Sequence, residues 1–69
     1  MPEKYLFIVR SPSELEICSK ELPVDTNLFS MAHSLMDVVR QEYKGSRVDH
    51  CEIWHRTSLY NMTLLVTVF

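Results

Sequence analysis

At 69 residues, 46% hydrophobic and 23% charged, the chain is expected to form one small globular domain, near the size at which a single core barely sustains a fold. Its formal charge of −2, with seven Lys plus Arg placed singly along it, supplies no basic run of the kind that neutralises nucleic-acid phosphates. No apolar stretch approaches the roughly 20 residues that span a bilayer, and a single glycine, Gly45, leaves no room for a glycine-rich phosphate loop, which needs positive φ at several positions.

The first apolar run, Tyr5 to Val9, is aromatic and β-branched and too short for a free-standing helix, so it reads as a strand. Both of its faces are apolar, with Tyr5, Phe7 and Val9 on one side and Leu6 and Ile8 on the other, which is the pattern of a central strand. The next segment has two readings. Ser11-Pro12 as a type I turn would lead into a second strand with Leu15 and Ile17 inward and Glu14, Glu16, Cys18 and Lys20 outward. The alternative is a capping box at Ser11-Pro12-Ser13-Glu14 opening a short helix over residues 12–21, giving a βααββ chain. The alternation favours the hairpin.

From Asp25 or Thr26 as N-cap, a helix is predicted to run to Lys44, with Gly45 as the left-handed residue that ends it. Leu28, Met31, Ala32, Leu35, Met36, Val38, Val39 and Tyr43 fall on one half of its surface, with Phe29 at the margin. That arc is wider than packing on one sheet requires. Val48 to Arg56 reads as a strand of mixed polarity and Met62 to Phe69 as a strongly apolar one, joined through residues 57–61. In the last strand Met62, Leu64, Val66 and Val68 would face the core, leaving Leu65 and Phe69 outside.

An α+β fold of ββαββ type follows, a four-stranded mixed sheet with one helix on one face. If the two most apolar strands occupy the middle, the strand order is 2-1-4-3. In this pattern the chain resembles a reduced ubiquitin-like β-grasp: Leu6 to Lys20 is similar to its opening hairpin, Pro23-Val24-Asp25-Thr26 to its lead into the helix, and Met62 to Phe69 to its last strand. The resemblance implies the fold and a habit of binding through the sheet face. It does not imply conjugation, because no diglycine tail follows the last strand of this sequence.

A single helix covers one sheet face and leaves the other to find cover. With Cys51 and Ile53 inward, His50, Glu52, Trp54 and Arg56 join Leu65 and Phe69 on the outer face, where aromatic and arginine side chains suit an interface; Trp54 as a plain core residue is the alternative. Of these, Trp54, Leu65, Phe69, Arg56 and His50 are the candidate partner-binding set. No metal, cofactor or catalytic group is expected. His50-Cys51-x-x-x-His55 has metal-binding residue types, but Cys51 and His55 would lie about 13 Å apart along a strand. Cys18 and Cys51 read as inert, unbridged thiols of a reducing, cytoplasmic setting, since no charged leader precedes Tyr5. The expected function is therefore a small interaction module, an inhibitor or adaptor of the plain kind that phages and mobile elements carry. It would bind a larger protein through the outer sheet face and self-associate as a homodimer, without nucleic-acid or membrane partners. Two alternatives stand beside it. One is a tautomerase-like isomerase using Pro2 as an N-terminal secondary amine, and the other a self-assembling oligomer that encloses a small ligand around Trp54.

Overall fold

The computed structural model describes residues 3–24, 27–43 and 47–69. Its elements run β1 (Lys4–Arg10), β2 (Glu16–Pro23), α1 (Leu28–Glu42), β3 (His50–Arg56) and β4 (Met62–Val68). The expected ββαββ sequence of elements is present; Glu16–Pro23 is a strand, so the alternative of a second helix over residues 12–21 does not hold. Ser11 closes the first hairpin: its carbonyl accepts from Glu14 N at 2.9 Å, and its own N–H donates to the Leu15 carbonyl at 3.0 Å. Pro12 thus sits at the second position of the turn, where its fixed φ costs nothing. Glu14 follows with φ of 65°, a left-handed position that glycine or asparagine fills more readily.

Strand order is β2-β1-β3-β4, and every pairing is antiparallel. The sheet is therefore not mixed, and the order is not 2-1-4-3; the first and last strands do not touch, so the β-grasp resemblance fails at strand order. The physical reason lies in β3. Its mixed polarity resolves into two clean faces, with Cys51 and Ile53 fully buried on one side. On the other, Glu52 takes an ion pair from Arg10 of β1 and Arg56 makes one to Glu21 of β2. A strand with one face fully buried and the charges of its other face matched from β1 and, across β1, from β2 sits inside the sheet, while apolar β4, joined to β3 by a short loop, lies at the edge.

Helix α1 connects β2 to β3, which run parallel with β1 between them, and it packs most heavily on β3 while also reaching β1 and β4. Its N-cap is Asn27, whose side chain accepts from Ser30 N at 3.0 Å. This satisfies one of the free N–H groups of the first turn. The helix ends at Glu42, with the Tyr43 N–H on the Val39 carbonyl at 2.9 Å. The expected caps Asp25, Thr26 and Gly45, and Lys44, lie outside the described residues. Ala32, Met36 and Val39 are buried against Phe7, Val9, Cys51, Ile53 and Val68. Phe29, Val38 and Tyr43 remain exposed, so the apolar arc is wider than the sheet uses.

Two irregularities reset the strand faces. Between Val9 and Arg10 the register with β2 shifts, with Val9 opposite Cys18 and Arg10 opposite Glu16. The additional residue, Ile17, packs against the core together with Cys18 and Leu22. Cys18 is thus inward, not outward as the alternation implied, and Leu15 is exposed. Between Ile53 and Trp54 a second shift puts Val66 opposite Ile53 but Leu64 opposite Trp54, with Leu65 as the additional residue. Val66 and Val68 keep their place at the core. Leu64 and Met62, expected inside, share the outer face with Trp54 and Arg56, because one inserted residue reverses the side-chain alternation of everything beyond it.

Candidate interaction surface

The sheet face away from the helix is made of two unlike halves. Over β1 and β3 it is closed by a layer of polar side chains centred on Glu52. Arg10 Nε donates to Glu52 Oε1 at 2.8 Å and Trp54 Nε1 donates to the same oxygen at 3.2 Å. His50 presents Nε2 to Glu52 Oε2 at 3.6 Å and Nδ1 to Asp49 Oδ2 at 2.7 Å. Arg10 also donates from Nη1 to the Glu14 carbonyl at 3.0 Å, which ties the layer to the left-handed residue of the first turn. At the other end Arg56 Nη1 reaches past Lys4 of β1 to Glu21 Oε1 of β2 at 3.0 Å.

This layer does the work of a second helix. Ile8, opposite Glu52 in the register, is only 6% exposed although no helix among the described residues lies on that face. Its neighbours on that face are Ser19 of β2 and Glu52 of β3 across the strands and Leu6 and Arg10 along β1. Burial acts to raise the Glu52 carboxyl, but the hydrogen bonds from Arg10 and Trp54, the Arg10 charge and the bond from His50 outweigh it, holding Glu52 below the usual glutamate range. The same hydrogen bond, against the opposing effect of burial, raises Arg10 further.

Beyond Trp54 the face is open and apolar. Met62, Leu64, Leu65 and Phe69 are all exposed along β4, Phe69 at 79%. Of the five residues singled out in the sequence, Leu65 and Phe69 are therefore available to a partner. Trp54 and Arg56 are half-buried in the polar layer, and His50, 7% exposed, is covered in part by Phe69 itself, the ring centroids 5.6 Å apart. All five lie on or beside the outer face, but they do not form one patch: Trp54 and Leu65 adjoin near the middle of β4, whereas His50 and Phe69 meet at its end. Met62 and Leu64 complete the exposed margin and were hidden from sequence reasoning by the bulge. The only trace of it was the adjacent pair Leu64-Leu65, which strict alternation cannot place on one side.

The described residues enclose no pocket, and among them no group of three or more His, Cys, Asp or Glu could hold a metal ion. Cys51 and His55 pair with Val9 and Tyr5 on the helix side, and His50 points the other way. Cys18 and Cys51 are both free. They flank Val9 from opposite sides, two strand spacings or roughly 10 Å apart, beyond the ~7 Å reach of a disulfide. Burial first, and then the neighbouring Glu52 charge, push the Cys51 thiol up to about 11, which leaves it a poor nucleophile at neutral pH. Pro2 lies outside the described residues. Among the described residues no helix is long and apolar enough to cross a membrane. No protein-family model, curated protein or solved structure matches the chain.

Proposed function

We propose that the chain is a small protein–protein interaction module, an inhibitor or adaptor, that binds a larger protein through the β4 half of its outer sheet face. The observation that carries this reading is the exposed apolar margin Met62, Leu64, Leu65 and Phe69, set beside a half of the same face that is already closed by ion pairs. Side chains of this kind, rimmed by charge, are what a desolvated interface core needs. Trp54 forms the wall between the two halves and contributes its ring edge more than its N–H, which Glu52 holds.

Parallel capture from host extract with the wild-type chain and with Leu64→Ser/Phe69→Ser tests this. A single stoichiometric partner retained by the wild type and lost from the variant, with circular dichroism unchanged, is the expected result. A partner held equally by both, or recovery of no protein but the chain itself, overturns the reading.

A further inference from the structure

The two edges of the sheet differ in the features that govern strand addition. The β2 edge, Glu16–Pro23, carries Glu16, Lys20, Glu21 and Pro23. Charges and proline on an edge oppose pairing with another strand. The β4 edge, Met62–Val68, has neither a charge nor a proline, and among the described residues no strand neighbours its outer backbone groups. We propose that β4 pairs antiparallel with β4 of a second copy of this chain, joining two four-stranded sheets into one of eight strands.

A second copy fits this edge better than an unrelated strand for two reasons. An acidic protein of charge −2 repels its own copy wherever like charges meet, and β4 is the edge where none do. The bulge at Leu65 is the one feature here that disfavours strand addition, since a regular strand laid along it would lose register at that point. Because the bulge puts Met62, Leu64 and Thr67 on the outer face but Thr63 and Val66 on the inner one, the faces of two antiparallel copies agree when the twofold axis falls between Leu64 and Leu65, which sets Leu64 opposite Leu65, Thr63 opposite Val66 and Met62 opposite Thr67 of the second copy. The two irregularities then coincide, and the flanks on either side are free to pair. The same symmetry makes the Leu64 and Leu65 side chains of both copies adjoin on the outer face, covering apolar surface that neither copy covers alone. This inference concerns the strand edge and goes beyond the proposed side-chain interface; Leu64 and Leu65 belong to both, so the two are told apart at Phe69, which lies beyond β4: Phe69→Ser should lose the larger partner and keep the dimer.

Sedimentation equilibrium at micromolar concentration, on the wild type, Leu65→Lys, Leu65→Glu and an equimolar mixture of the two variants, decides it. The expected pattern is a wild-type dimer, each single variant weakened at least tenfold by like charges meeting at the axis, and a dimer restored in the mixture as a heterodimer. A monomeric wild type overturns the proposal. So does a variant that dimerises as well as the wild type, which would place the interface elsewhere. Failure of the mixture to recover, with both variants folded by circular dichroism, also overturns it. As a second readout, hydrogen exchange should slow in β4 and not in β2 as concentration rises; slowing confined to α1 would assign association to Phe29, Val38 and Tyr43 instead.

Discussion

Phe7 and Ile8 are neighbours in one strand and both are almost fully buried, yet by different means. Phe7 lies beneath the helix, in contact with the apolar cluster around Met36 and Ile53. Ile8 lies on the opposite face beneath side chains that are charged at their ends and apolar along their stems. The first kind of cover is dense, apolar and independent of pH or salt. The second depends on Arg10 and Glu52 holding each other across the strand, and it shares the properties of an ion pair. The described residues offer one helix for two sheet faces, and the contrast shows how the other face can be closed over its central strands by side chains alone.

Truncation on the two faces gives the largest difference. Phe7→Ala should cost about 3–5 kcal/mol in urea denaturation, the range for loss of a buried aromatic, enough to unfold much of a domain of this size. Ile8→Ala should cost about 2 kcal/mol, at the low end of its class, because the side chains above it can settle into the space. Equal losses at the two positions would show that the outer layer is as rigid as the helix.

The polar layer can be broken from either side. Arg10→Met leaves Glu52 part-buried without its strongest partner and should cost about 1–3 kcal/mol. The pH dependence has a definite sign. Because Glu52 is held below its unfolded value, its contribution is fully present above the ordinary glutamate pKa of about 4.3. It is lost as pH falls through the lower, folded value. Glu52→Gln should therefore flatten the acid limb of the stability profile and change its shape little near neutrality. An unchanged acid limb would mean that the layer contributes packing and not charge.

Smaller effects sharpen the comparison at its margins. Glu14→Gly removes the side chain from a position at φ of 65° while keeping the carbonyl that Arg10 grips. The relief of left-handed strain exceeds the added chain entropy by about 0.5 kcal/mol, read as a rise in melting temperature. Phe69→Ser should move stability by no more than about 0.5 kcal/mol, as for other exposed sites. A larger loss would mean that its contact with the His50 ring belongs to the fold and not to the open margin. Trp54→Ala should fall between these cases, because its ring is half-buried and its N–H is bonded, so it is not the neutral interface residue its place on the outer strand face implied.

Local pattern determined which segments became strands and which became helix, because periods of two and of 3.6 residues are written in side-chain order alone. The turn at Ser11-Pro12, the apolar stripe around Ala32, Met36 and Val39, and the inward aim of Cys51 and Ile53 were legible for that reason. So was the outward aim of Trp54. Tertiary structure alone decided three things. Strand order followed from Arg10 meeting Glu52 and Arg56 meeting Glu21, pairs 42 and 35 residues apart in sequence that hydrophobicity ranking cannot see. The faces of β2 and β4 turned on single inserted residues, Ile17 and Leu65. A bulge forms where a strand must fit its neighbours, so it leaves the alternation on either side intact, and beyond the adjacent pair Leu64-Leu65 it shows only in the register. The division of the outer face into a closed ionic half and an open apolar half came from both together, since the cross-strand pairs cover Ile8 while the bulge turns Met62 and Leu64 outward.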